Sequence, residues 1–137
     1  MNISSRCEYG CRAALALAHA GMDHEPVTAP AIAEQQHIPQ KYLVHILLQL
    51  KRAGIIRSVR GAQGGYLLAR PPEAITLRDV VAAIDGPILD PLPVADAESR
   101  QLASAWREVR DEIEQALAAI TLQNILDRTA PGDMYYI

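Results

Sequence analysis

Residues 60–66 read RGAQGGY, three glycines in seven residues, set between two β-rich runs, Ile55-Ile56-Arg57-Ser58-Val59 and Tyr66-Leu67-Leu68-Ala69. This block constrains the fold more than any other stretch. A glycine-rich loop that opens a helix can cradle a phosphate against the helix N-terminus, as in P-loops and dinucleotide fingerprints. Here no Lys-Ser/Thr pair follows the last glycine, and the next residues favour a strand. Both phosphate readings therefore lose the context they require. Two β-rich runs joined by a short glycine loop make a hairpin instead. Arg70-Pro71-Pro72 ends its second strand, because proline has no N–H to give to a ladder.

The residues ahead of the hairpin narrow the fold further. Thr28 is placed to cap a helix that runs through Ile32 and Ala33 to Gln36, with Pro30 tolerated in its first turn. His37-Ile38 makes a turn, and a longer helix then runs from Pro39 or Gln40 to Ala53, with Gly54 as its stop. A short helix, a tight turn and a longer helix outline a helix-turn-helix. In the longer helix Leu43, Ile46, Leu47 and Leu50 share one face, and Lys41, His45, Leu48 and Arg52 share the opposite one, with Gln40 and Tyr42 flanking it. A recognition helix needs such an apolar seam and polar outer face. An ordinary amphipathic surface helix shows the same pattern. The hairpin that follows tips the balance, since a hairpin directly after a helix-turn-helix is the wing of a winged helix. At a wing tip, glycines allow φ > 0 and close approach to DNA. Arg60 beside them suits a narrow minor groove, where the negative potential is strongest. The plainer reading of Arg60 is an exposed arginine on a turn.

The remaining segments read in turn. Residues 4–20 form a first helix capped by Ser4 or Ser5 and stopped near Gly21, and residues 22–27 form a polar loop. Thr76 caps a helix over residues 77–85, which Gly86-Pro87 ends. Residues 87–97 hold three prolines and read as a connector. Residues 98–122 read as a long helix on which Leu102, Trp106, Val109, Ile113, Ala116 and Ile120 make a heptad seam. Such a stripe suits dimerisation; packing back on its own domain is the alternative. Thr121 or Asn124 begins a short turn through Leu126, and the tail PGDMYYI shows no pattern. The expected fold is mainly α with a small β-hairpin wing: a winged helix-turn-helix plus a long dimerisation helix. The expected division is a DNA-binding domain over 1–86, a connector over 87–97, and a dimerisation helix with a C-terminal segment over 98–137.

Net charge is −3, yet it is unevenly spread. Residues 1–70 carry eight basic side chains against four acidic, and residues 71–137 carry five against twelve. A basic half suits a polyanion such as double-stranded DNA. No apolar run approaches the ~20 residues that span a bilayer, and the N-terminus lacks the layout of a secretory signal. No membrane association and a cytoplasmic location are expected. Cys7 and Cys11, the two cysteines, lie one helical turn apart. Parallel side-chain vectors disfavour a disulfide between them. They are a redox pair, half of a metal site, or small packing residues on the face of Ala14 and Ala18. The four histidines have no ligand spacing, and no catalytic constellation stands out, so an enzyme is not expected.

The run IPQKYLVHILLQLKRAGIIRSVRGAQGGYLLARPPEAITLRDVVAAIDG resembles the signature region of the Rrf2 family of bacterial transcription regulators. ISSRCEYGCRAALALA, with Tyr9, is similar to the family's first helix, and ITLQNIL to its segment after the dimer helix. The resemblance covers nearly the whole chain. It implies a homodimeric winged helix on a palindromic site, with long helices crossing between subunits. It implies that Gln40, Lys41, Tyr42 and His45 face the major groove, that Arg60 and Gly61 enter the minor groove, and that Ser4, Ser5 and Tyr9 support backbone contacts. Many members sense iron–sulfur status or nitric oxide through three cysteines between the helix after the wing and the dimer helix. Here residues 86–105 contain none, and Ala103 stands where some members place a ligating histidine. No conventional [2Fe–2S] cofactor is therefore expected. Cys7 and Glu8 replace a common glycine and arginine, which implies weaker backbone affinity. Ala62-Gln63 replaces a common Pro-Gly in the wing.

The reading is a sequence-specific DNA-binding transcriptional regulator, a repressor acting as a homodimer, with an unidentified effector ligand or partner protein. Two alternatives stand beside it: a redox or metal sensor through Cys7 and Cys11 with DNA binding as output, and a protein-interaction module that has lost DNA binding.

Overall fold

The computed structural model describes residues 2–21 and 23–128; the tail PGDMYYI lies outside the described residues. Helix α1 spans Ser5–Ala20, α2 Ala29–Gln36, α3 Gln40–Arg52, α4 Leu77–Asp85, α5 Ala97–Ala118 and α6 Leu122–Leu126; strands β1 (Ile56–Val59) and β2 (Gly65–Leu68) lie between α3 and α4. Helix α1 is the hub of the fold and touches α2, α3, α4 and α6. Its buried face is small, with Ala13, Ala14 and Ala18 beside Leu17. Small side chains let the neighbouring helices approach closely, and the large ones come from those neighbours: Ile32, Leu43, Ile46, Leu47, Leu50, Val80 and Leu122.

Each helix start has a local cause. Ser4, Thr28, Thr76, Asp96 and Thr121 accept a backbone N–H from their own first turn. Thr76 with Asp79 and Thr121 with Asn124 form reciprocal capping boxes. Helix α3 begins at Pro39 without a side-chain cap. Between α2 and α3, His37 sits in the left-handed region at φ 54° and returns its N–H to Ala33. That single residue turns the chain from one helix into the next.

The hairpin is antiparallel, with Ile56 opposite Leu68 and Val59 opposite Gly65. It has a third participant. Val27, read from the sequence as part of a polar loop, pairs with Tyr66 through two backbone hydrogen bonds of 3.0 and 2.8 Å. The segment before α2 therefore clamps the wing to the helix-turn-helix. This is also why residue 65 is glycine. A Cβ there would lie 2.6 Å from the Val27 carbonyl oxygen. At Gly64 a Cβ would lie 2.2 Å from the Val59 oxygen. Both glycines are demanded by the hairpin's own packing. Gly61, at φ 109° with open space around it, is the one that turns the tip.

The long helix is shorter than its heptad pattern suggests. It ends at Ala118, so Ile120 lies in a link rather than on the helix. Thr121 starts a new helix, and an isolated pairing of Thr76 with Thr121 draws the chain back: Leu77 N–H donates to the Ile120 carbonyl and Leu122 N–H to the Ile75 carbonyl, each at 2.9 Å. Leu122 is then fully buried in the N-terminal core against α1. Hydrophobic spacing continues through residue 120, but the cap and the buried leucine decide where the helix stops.

Candidate nucleic-acid interface

Helix α3 supplies the outer face read from its sequence. Gln40, Lys41, Tyr42, His45, Leu48 and Arg52 are all exposed, while Leu43, Ile46, Leu47 and Leu50 are buried. Tyr42 does not stand alone. Its ring stacks on Tyr9 of α1 with centroids 6.2 Å apart and planes 24° from parallel. The Lys41 ammonium lies 5.0 Å from the Tyr42 ring, and the Arg12 guanidinium 6.0 Å from the Tyr9 ring. The aromatic stack thus ties the start of α1 to the start of α3, and each ring holds a positive charge from its own helix beside it.

Ser5, Tyr9 and Arg12 share one surface hollow of about 430 Å³ with Glu8 and His37. Arg12 pairs with Glu8 one turn earlier at 3.3 Å. Ser4 plays a different part. Its hydroxyl accepts from the Cys7 N–H at 3.0 Å and donates to the Asp85 carboxylate at 2.9 Å. This fastens the start of α1 to the end of α4. Arg6 reinforces the junction: it donates to the Gln49 side-chain oxygen at 2.6 Å, and the Gln49 amide donates to the Ile84 carbonyl at 3.3 Å. Through these bonds α1 holds α3 and α4 at once.

At the wing, Arg60 and Gly61 are exposed at the tip. Arg70, at the foot of the wing, is held by the Ala74 carbonyl at 3.2 Å and lies 3.6 Å from Asp79. Lys51, Arg52 and Arg57 are exposed between α3 and the tip. Of the eight basic side chains in residues 1–70, Arg6 and Arg12 lie on α1, Lys41, Lys51 and Arg52 on α3, Arg57 and Arg60 on the hairpin and Arg70 at its foot.

The seam of α5 faces outward over its first half. Leu102 is 60% exposed, Trp106 40% and Val109 41%. Ile113 turns inward and, with Leu117, faces α1 and α4 across a cavity of about 410 Å³. Arg78 of α4 meets Glu114 of α5 at 3.4 Å. Ala116 is exposed and Ile120 lies beyond the helix, so of the six seam residues only Ile113 faces the chain's own domain from α5. Ala103 is the buried residue of α5, beneath connector residues Pro91, Leu92 and Pro93.

Cys7 is buried and Cys11 half-buried, on the same face as Ala14 and Ala18, and both open on the cavity between α1, α4 and α5. The neighbouring Cys11 thiol, which can donate to a Cys7 thiolate, holds Cys7 below the ordinary thiol value. The proximity of Cys7, with burial, pushes Cys11 far above it. Among the described residues, no three His, Cys, Asp or Glu side chains gather closely enough to hold a metal ion.

Sequence reasoning passed over three features here. Arg12 counts in the sequence only toward the basic charge of residues 1–70, and its place beside the Tyr9 ring leaves no further signal. The Arg6–Gln49 link joins residues 43 apart and leaves no local signal. Val44, 64% exposed beside His45, was hidden by its apolar type.

A family model described as Rrf2, an iron-dependent transcriptional regulator, matches residues 3–128. The chain is 32% identical to the HTH-type transcriptional regulator CymR of Bacillus subtilis over 140 residues, spanning 100% of both. The solved structure of CymR, titled the global cysteine regulator of B. subtilis, superposes with a TM-score of 0.79 at 31% identity, covering 95% of this chain and 99% of that one. The structure of T. potens IscR gives 0.76 at 35% identity, covering 99% and 97%.

Proposed function

On the premise that the chain belongs to the Rrf2 family, a family of DNA-binding transcriptional regulators, we propose that it acts as a homodimeric repressor on a palindromic operator. Helix α3 enters the major groove of each half-site. Gln40, Lys41, Tyr42 and His45 face base edges and phosphates there, and the wing carries Arg60 and Gly61 to the adjacent minor groove. Ser5, Tyr9 and Arg12 face the DNA backbone. The observation that carries the reading is the Tyr9–Tyr42 stack with Arg12 and Lys41 beside it. It positions the exposed start of α3 and concentrates cations at the place where a recognition helix meets DNA. The open half of the α5 seam supports the dimer, since Leu102, Trp106 and Val109 leave an apolar stripe that a second copy would cover. Among the described residues no helix is long and apolar enough to cross a membrane, which suits work on DNA in the cytoplasm.

We further propose that regulation does not run through a cysteine-ligated cluster between α4 and α5. The donor chemistry supports this: the chain's two cysteines are both on α1, and residues 86–105 offer no thiolate. The signal is then an effector ligand or a partner protein. Cys7 and Cys11 serve as packing residues, in keeping with the burial of Cys7 and the half-burial of Cys11 beside the alanines of α1.

Selection of bound duplexes from random sequence tests the proposal. An enriched inverted repeat with half-sites about one helical turn apart is expected. Enrichment of no motif, or of a single unrepeated half-site, would refute it.

A further inference from the structure

The outer stripe of α3 is not wholly polar. Lys41, Val44, His45 and Leu48 recur at i, i+3, i+4 and i+7, and all four are exposed. Val44 is 64% exposed and Leu48 42%. Neither is needed by the core, which Leu43, Ile46, Leu47 and Leu50 already fill. On propensity alone a β-branched residue is a poor choice for an open helical position, because its χ1 is restricted against the preceding turn. The pair is ringed by Lys41, Lys51 and Arg52, which are also exposed.

An apolar pair inside a ring of cations does not suit the apolar face of another protein, where those charges would lose water without compensation. It suits a polyanion that presents an apolar group of its own. The major groove of B-DNA does so at one kind of base: thymine, through its C5-methyl. Val44 is the fifth residue of α3, within the N-terminal part of a recognition helix that meets base edges.

We infer that Val44 contacts the C5-methyl of a thymine in each half-site, with Leu48 one turn further on shielding that contact from water. The operator accordingly requires a T·A pair at this position. The inference rests on the reading that α3 enters the major groove, and it adds which base one side chain reads and by what chemistry.

The test replaces each thymine of the selected operator, one at a time and symmetrically in both half-sites, with 2′-deoxyuridine. This removes only the methyl group. Burying one methyl-sized group is worth ~0.8 kcal/mol, or about fourfold in affinity per half-site. With both half-sites changed, the wild-type dimer should lose about that factor twice over, roughly 15-fold, at one thymine position. The Val44→Ala protein should bind thymine and uracil duplexes alike at this position. An exposed alanine is a better helix former than valine, so the variant should melt no lower than wild type. Indifference of the wild type to every uracil overturns the inference, as does a Val44→Ala protein that keeps the wild-type discrimination, including the case where Leu48→Ala alone abolishes it. In these cases operator binding itself persists. Failure to select any duplex overturns the DNA-binding reading and this inference together, so the two failures are distinguishable.

Discussion

Replacing Gly65 with alanine separates two explanations of the glycine loop, approach to DNA and internal packing. The added Cβ would stand 2.6 Å from the Val27 carbonyl oxygen and 2.7 Å from its carbon, both backbone atoms that no rotamer can move. Reaching ordinary contact at 3.4 Å requires the two segments to part by about 0.8 Å. The Val27–Tyr66 hydrogen bonds are 3.0 and 2.8 Å long. If they take up that displacement they pass beyond the ~3.5 Å at which an N–H···O bond has meaning. Two backbone bonds at about 1 kcal/mol each give a loss of about 2 kcal/mol. For a chain of this size that corresponds to a melting point roughly 8 °C lower. The comparison variant is Gly61→Ala. Its Cβ enters open space, so only the positive φ is penalised, at about 1 kcal/mol. Both variants would be followed by circular dichroism at one fixed protein concentration, because a dimer's melting point depends on concentration. The reasoning fails if Gly65→Ala melts within about 2 °C of wild type on that same size scaling, or if Gly61→Ala costs as much as Gly65→Ala. Either result would mean that the Val27 clamp does not hold the wing.

Other consequences can be measured independently. Arg60→Ala should weaken operator binding and relax the preference for A·T in the flanking minor groove, read by mobility shift at fixed salt; unchanged affinity and preference would remove Arg60 from the interface. If Arg60 instead meets a phosphate, the salt dependence should flatten by about one unit of slope. Leu122→Ala removes a fully buried side chain and should cost about 2–5 kcal/mol in denaturant unfolding; a loss under about 1 kcal/mol would show that α6 is not part of the core. Leu102→Arg places a charge in the open half of the seam and should give a folded monomer by sedimentation equilibrium; a persistent dimer would move the interface elsewhere. Native Cys11 should react with iodoacetamide at pH 8 at least about tenfold more slowly than in urea, because only the thiolate attacks and each unit of raised pKa removes a factor of ten. Equal rates, followed by mass spectrometry, would contradict a Cys11 thiol held protonated by burial and by Cys7.

The winged fold was legible because its signals are local. Thr28, Thr76 and Gly54 punctuate helices within a few residues, and the four core positions of α3 repeat at helical spacing. The strand–glycine–strand block admits few alternatives to a hairpin. Contacts between distant segments leave no such trace. Val27 looked like part of a loop because one isolated pairing carries no period. The 98–122 helix was overextended because a heptad pattern cannot show that the capping box at Thr121 and burial of Leu122 outweigh another turn.

The interface divides the same way. Residue type and phase alone place Lys41, His45 and Arg60 outside the core, since charge and periodicity are properties of the chain. The joining of Tyr9 to Tyr42, the fastening of Ser4 to Asp85 and the exposure of Val44 depend on how α1, α3 and α4 pack. Those facts arise from distances between residues far apart in sequence. A linear pattern constrains burial along one element; only the packed chain decides which elements meet and which apolar side chains are left outside to meet something else.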